Sequence, residues 1–205
     1  MTTNHTNQEI EVKFYLKSLP NLQARLERLG AKLAQPRGLE RNLRFDRPGG
    51  ELSREGRVLR LRQDSAARLT YKGPGELQGG VQARVEIEFT VDDFKQAQAF
   101  LEALGYSVWA AYEKYRATYA LDDALVTLDE LPFGSFAEIE APTPEAVARA
   151  AKRLEVDWEE RINTSYMALF EHAREAMGYS FRDLTFENFR ELRVPAEALG
   201  VRPAD

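Results

Sequence analysis

Side chains able to do chemistry recur along this sequence in pairs two residues apart. Glu9 and Glu11 flank Ile10, Glu86 and Glu88 flank Ile87, and Glu138 and Glu140 flank Ile139. Carboxylate pairs supply the oxygen ligands that hard divalent cations such as Mg²⁺ or Mn²⁺ prefer. Basic residues keep the same spacing: Arg60 and Arg62 around Leu61, Lys114 and Arg116 around Tyr115, with Lys72 beyond Thr70 and single cations at Lys13 and Arg84. Arginine offers phosphate a bidentate fork and lysine a point charge. Together these residue types suit a polyphosphate held with a divalent metal.

A spacing of two is the period of a β-strand, so each pair should share one face of a strand with apolar residues on the other. In Glu9-Ile10-Glu11-Val12-Lys13-Phe14 the alternation is strict. Ser18 then precedes a predicted helix from Pro20 to Leu29 that Gly30 can end. The unit recurs at Glu86-Ile87-Glu88-Phe89, with Asp92 or Asp93 as helix cap, and at Glu138-Ile139-Glu140, with Thr143 as cap. Three strand-then-helix cassettes opening on Glu-Ile-Glu suggest internal repetition. Between them the pattern predicts strands at Asn42–Phe45, Val58–Arg62, Arg68–Lys72, Tyr112–Ala120 and Leu125–Asp129, joined by turns rich in glycine and proline. The expectation is an α+β fold of about eight antiparallel strands.

Composition narrows the chemistry. With 43% hydrophobic residues in 205, the chain can bury a substantial core. It has no cysteine and only two histidines, which removes disulfides, thiolate metal sites and cysteine nucleophiles. The formal charge of −5 argues against nucleic-acid or anionic-membrane binding by bulk electrostatics. No segment reaches the roughly 20 apolar residues of a membrane-spanning helix. Residues 1–7 read as a disordered leader without a secretory signal, which makes the cytoplasm the default location.

Two arrangements satisfy the alternation. In one, helices cover the apolar face of an open sheet and water covers the charged face. In the other, the sheet curls into a closed barrel with helices outside and the charged face lining a tunnel. The tight pairing of like charges favours the second, because adjacent like charges repel unless a counter-charged ligand lies between them. Seven cations (Lys13, Arg60, Arg62, Lys72, Arg84, Lys114, Arg116) would face seven carboxylates (Glu9, Glu11, Glu86, Glu88, Asp129, Glu138, Glu140). Such a tunnel is neutral when empty, and one or two divalent ions would make it attract an anion.

These blocks resemble the CYTH family, also called triphosphate tunnel metalloenzymes, which includes class IV adenylyl cyclases, thiamine triphosphatases and inorganic triphosphatases. Its E-x-E-x-K signature stands here as Glu9-Ile10-Glu11-Val12-Lys13. The resemblance continues in order through Val58–Arg62, Leu69–Pro74, Arg84–Glu88, Lys114–Arg116, Leu128–Glu130 and Phe136–Glu140, covering roughly Gln8 to Glu171. It implies an eight-stranded antiparallel closed tunnel, a CYTH domain over 8–177, and Mg²⁺ or Mn²⁺ as cofactor. It also implies metal ligation by Glu9, Glu11, Asp129, Glu138 and Glu140, with Lys13, Arg60, Arg62, Lys72, Arg84, Lys114 and Arg116 clamping the triphosphate. Catalysis falls to Glu9, Glu11 and Lys13, supported by Glu86 and Glu88. The implied partner is a small-molecule triphosphate, with no nucleic acid and no membrane; a homodimer stays open.

Three functions fit these residues. A triphosphatase, in which an activated water attacks the terminal phosphorus, comes first. A cyclase, in which the ribose hydroxyl of ATP attacks the α-phosphorus, comes second, and the Arg68–Pro74 stretch with Ser165-Tyr166 looks closest to the cyclase-like bacterial branch. A noncatalytic polyphosphate or nucleotide sensor is third. The Gly73–Gly80 stretch lacks the Lys-Ser/Thr ending of a P-loop and reads as a hairpin tip. Residues 178–205 read as a helical appendage with Phe181, Phe186 and Phe189, and as a candidate lid over one tunnel mouth.

Overall fold

The alternating stretches all become strands, and their registers close a ring. In the computed structural model, which describes residues 8–205, the chain runs β1 (Gln8–Leu16), α1 (Leu19–Arg28), β2 (Lys32–Asp46), α2 (Glu51–Arg54), β3 (Val58–Gln63), β4 (Ala67–Lys72), β5 (Glu76–Gln78) and β6 (Val81–Val91). It continues through α3 (Phe94–Ala103), β7 (Ser107–Leu121), β8 (Ala124–Leu131), β9 (Gly134–Glu140), α4 (Pro144–Arg153), β10 (Arg161–Ile162) and α5 (Tyr166–Met177). The expected leader lies outside the described residues. Antiparallel pairing passes around β1-β9-β8-β7-β2-β3-β4-β6, and β6 pairs back onto β1 through Glu9 opposite Arg84. Eight strands thus bond in a tunnel-like ring, with β5 and β10 as short additions. Closure satisfies edges that would otherwise template association.

Local signals set the helices. Ser18 Oγ accepts from the Asn21 amide at 3.4 Å, Asp93 from Lys95 at 2.8 Å, and Thr143 from Ala146 at 3.2 Å, so each cassette helix begins at a side-chain cap. At the β5–β6 hairpin Gly79 and Gly80 take φ of +57° and +83°, which a two-residue turn with matching twist requires. Strands β2 and β7 each span 15 residues, far beyond the expected Asn42–Phe45 and Tyr112–Ala120. Pro36 and Gly38 disguise the first half of β2, where the register shifts between Leu33 and Gln35 and again between Gln35 and Gly38.

Helices pack outside on the apolar faces. Leu22 and Leu26 of α1 and Val147 and Ala150 of α4 cover Val12, Phe14, Val126 and Ile139. Phe14 is wholly buried there, and Phe14→Ala should cost about 3–5 kcal/mol. Leu101 of α3 covers Phe45 and Leu61. Val85, Ile87 and Phe89 on the outer face of β6 stay exposed.

The tail corrects the expected appendage. From Tyr179 it is irregular chain with one 3-10 turn at Ala196–Leu199, and its apolar residues belong to a core shared with α5. Leu184 is 0% exposed, and its backbone bonds strand β7 through Ala111 and Glu113. The Ala204 amide donates to the Tyr15 carbonyl at 2.9 Å. Phenylalanines at irregular spacing mark anchoring points here, not the face of a helix.

Candidate functional site

The three Glu-Ile-Glu cassettes end up side by side. Strands β9, β1 and β6 are neighbours in the ring, with Glu11 opposite Glu140, Lys13 opposite Glu138 and Glu9 opposite Arg84. Their glutamates form an acidic arc of the inner wall. From the rest of the ring β3 and β7 contribute Arg60, Arg62, Lys114 and Arg116, while Lys72 comes from β4, beside β6 and in register with Glu86. The cavity they line has a volume of about 370 Å³ and takes in thirteen of the fourteen expected residues. Asp129 is the one left out of the lining: it is 0% exposed and stands behind the cations.

In the acidic arc every lysine and arginine is already engaged. Lys72 Nζ lies 2.6 and 2.7 Å from the two oxygens of Glu9 and 3.1 Å from Glu86. Arg84 bridges Glu9 at 3.0 Å and Glu11 at 3.1 Å, and Lys13 holds Glu11 at 2.6 Å. Burial works against the Glu9 carboxylate, but Lys72, the Glu86 hydrogen bond and Arg84 outweigh it and hold its pKa well below the ordinary range. Its neighbour behaves oppositely. Burial and the adjacent Glu9 charge push Glu86 up to about 7 against the pull of Lys72, so Glu86 retains a proton to share with Glu9 near neutrality. Glu140, although exposed at the end of β9, also rises to about 7, through partial desolvation and repulsion from Glu9 and Glu11.

The basic arc is braced from behind. Asp129 takes Arg116 Nε at 2.6 Å, Lys114 Nζ at 3.0 Å and the Tyr166 hydroxyl at 2.9 Å. Arg116 also holds Glu138. Burial of Glu138 is overcome by Arg116 and Lys13, which keep it well below the carboxylate range. Arg60 donates to the Tyr112 hydroxyl at 3.2 Å and to Thr70 at 3.2 Å, and Arg62 reaches Glu88 at 2.9 Å. Asp129 can serve a metal only by exchanging these partners, so this geometry gives it the role of holding two cations in place.

Sequence reasoning missed Glu40 and Arg44 on β2, Tyr112 on β7 and Thr127 on β8. Glu40 is 1% exposed, and although burial opposes it, Lys114, Arg116 and Arg62 hold its carboxyl down at about 2. The signal was available: Glu40, Asn42 and Arg44 keep the period-two spacing, Arg44 already lay within the expected strand, and extending that strand two residues back would have reached Glu40. Tyr166, noted only within a motif, enters the cavity with Ser165 and Met167 because α5 starts at the tunnel end. The tail lines no part of the cavity, which removes the ground for reading it as a lid.

The donor set suits a hard cation. As the side chains stand, no three acidic or histidine groups converge into a cage among the described residues, since their oxygens are spent on lysine and arginine. Yet Glu140, crowded by Glu9 and Glu11 and without an ion-pair partner among the described residues, experiences like-charge repulsion that a divalent ion would relieve. The fit is therefore one of residue chemistry: Glu9, Glu11, Glu138 and Glu140 are the side chains that could supply oxygen donors.

The CYTH domain profile matches residues 7–166, which takes in every strand of the ring. The chain belongs to the CYTH domain family. Solved structures share the fold of this CYTH domain. A putative adenylate cyclase from Vibrio parahaemolyticus is 22% identical with a TM-score of 0.73, covering 82% of this chain and 99% of that one. A protein from Pyrococcus horikoshii is 26% identical with a TM-score of 0.66, covering 77% and 96%. A putative adenylyl cyclase from Hippeastrum, described as having a dominant triphosphatase activity, is 22% identical with a TM-score of 0.62, covering 80% and 95%. No curated protein sequence matches. No helix of the described residues is long and apolar enough to cross a membrane.

Proposed function

We propose that this CYTH domain is a divalent-metal-dependent triphosphatase acting on inorganic triphosphate or an organic triphosphate inside the tunnel. The observation that carries the reading is the convergence of carboxylates from β9, β1 and β6 and of cations from β4, β3 and β7, with Lys13 and Arg84 among the carboxylates, on one cavity. A polyphosphate with its metal is a ligand that satisfies both arcs at once. The aromatic side chains in the lining, Tyr112 and Tyr166, are 7% and 6% exposed, and Lys13 and Lys114 lie over the Tyr166 ring, so neither offers an open face on which a base could stack.

Phosphoryl transfer demands positioning and charge neutralisation more than covalent chemistry. Arg60, Arg62, Lys72, Arg84, Lys114 and Arg116 would clamp the phosphate oxygens, joined by Lys13 from within the acidic arc. Held by Glu9, Glu11, Glu138 and Glu140, Mg²⁺ or Mn²⁺ would supply Lewis-acid stabilisation and activate water. Water adds to the terminal phosphorus as the bridging P–O bond breaks, and tripolyphosphate yields orthophosphate and pyrophosphate.

The names of similar structures favour a second reading, an adenylyl cyclase forming cyclic AMP and pyrophosphate from ATP. One assay separates the two. The protein is incubated with tripolyphosphate, thiamine triphosphate and ATP, each with Mg²⁺ or Mn²⁺, and the products are identified. Orthophosphate release supports the triphosphatase, and cyclic AMP supports the cyclase. Binding without any product would defeat both.

A further inference from the structure

A second cavity of about 330 Å³ adjoins the first and shares with it Glu11, Lys13, Arg44, Val58, Arg84 and Ser165. Arg44 differs from the other shared cations. Lys13 and Arg84 hold Glu11 and Glu9, whereas Arg44 forms no ion pair or side-chain hydrogen bond among the described residues. Asp46, the nearest acid on its strand, cannot serve, because the amides of Arg47, Leu52 and Ser53 and the Ser53 hydroxyl occupy its oxygens at 2.7 to 2.9 Å. Across the β2–β3 ladder Arg44 stands directly opposite Arg60. Two like charges at facing positions repel, and an anion between them removes that cost. Burial, with the nearby Arg60 and Arg84 charges, lowers the Arg44 pKa, as expected of a guanidinium lacking its anion.

Beyond Arg44 the second cavity is polar. Arg57, Gln82, Asn163 and Thr164 line it, and it offers no aromatic surface to a base. The part of a ligand that enters is therefore anionic or hydrogen-bonding. We propose that Arg44 is a phosphate subsite beyond the triphosphate clamp, so that the protein prefers linear phosphate chains longer than three, with the additional phosphate on Arg44. This rests on the triphosphate reading above and adds a chain-length preference to it. The same chemistry could instead take the α-phosphate of a nucleoside triphosphate, and the test separates the sources.

The experiment is titration calorimetry on ice with Ca²⁺ as the divalent ion, orthophosphate release being followed in parallel so that only titrations without turnover are read. Tripolyphosphate, tetrapolyphosphate and ATP are titrated into the wild type, Arg44→Gln, Arg44→Lys and the outward-facing control Arg41→Gln. The wild type should bind tetrapolyphosphate more tightly than tripolyphosphate. Arg44→Gln should reduce that ratio by on the order of tenfold, the loss of one charge-assisted contact, and Arg44→Lys should restore part of it. Arg41→Gln should leave the ratio as it is. Equal losses for both inorganic chains, or a selective loss for ATP, would overturn the fourth-phosphate assignment alone. A wild type that takes none of the three anions would overturn the proposed function as well. Melting curves of each variant confirm that a lost ratio belongs to a folded protein.

Discussion

Asp129→Asn is the sharpest test of how the clamp is built. The substitution keeps the shape of the side chain and removes one negative charge from a site with no solvent exposure. Arg116 at 2.6 Å and Lys114 at 3.0 Å would then face an amide whose nitrogen competes with them. Breaking a buried ion pair from one side costs about 3–5 kcal/mol, since the remaining charge stays buried without a partner. At roughly 2–4 °C per kcal/mol for a domain of this size, the melting temperature should fall by on the order of 10 °C. Glu130→Gln, one residue on, is the internal control. Its partner Arg37 and Glu130 itself are 51% and 40% exposed, so the change should stay within about 1 kcal/mol. Thermal and urea denaturation followed by circular dichroism would read both. Without added metal, tripolyphosphate should stabilise Asp129→Asn more than the wild type, because it replaces the missing anion. Equal stabilities for the two variants would refute the bracing role. So would an Asp129→Asn protein of unchanged metal-free stability that no longer gains from Mg²⁺, the behaviour of a direct metal ligand.

Other consequences follow from the same wall. Lys114→Ala or Arg60→Ala should weaken triphosphate binding by on the order of tenfold or more in calorimetry, and an unchanged affinity would remove that residue from the clamp. Glu138→Gln should chiefly raise the Mg²⁺ or Mn²⁺ concentration needed for half-maximal rate; a normal metal titration would show the ligand set to be wrong. Glu86 and Glu140 both sit near 7 in the folded chain against an ordinary 4.5. Their contribution to metal-free stability is therefore full below about 4.5 and lost as the pH rises through 7. Metal binding needs the ionised form of Glu140, so the rise in melting temperature caused by Mg²⁺ should be larger at pH 8 than at pH 6, and an equal shift would contradict the donor set. Removal of Tyr179–Asp205 takes away Leu184, Phe189 and Leu199, each at most 4% exposed. At about 1.5–3 kcal/mol apiece their loss rivals the stability of a whole domain. The truncated chain should lack a cooperative melt, and a near-native melt would mean the tail is dispensable.

The sequence alone determined which side chains share a face. Strict alternation through Glu9–Phe14, Val58–Arg62 and Glu86–Phe89 needs only the period-two geometry of a strand, and cap residues such as Ser18 and Thr143 act within a few residues of themselves. For that reason the strand blocks, the α+β class and thirteen of the residues that line the cavity could be read before any coordinates. The pairing of those faces was a different matter. Register between distant segments decided that the three Glu-Ile-Glu strands lie adjacent, that Asp129 retreats behind Lys114 and Arg116, and that Arg44 meets Arg60 with no acid between them. The tail's apolar residues gave no usable period because each one fills a separate gap against α5 and β7. Periodicity is a property of a single segment. Pairing, burial and the surplus of one charge over its partners depend on where several segments meet, and only the closed ring fixes that.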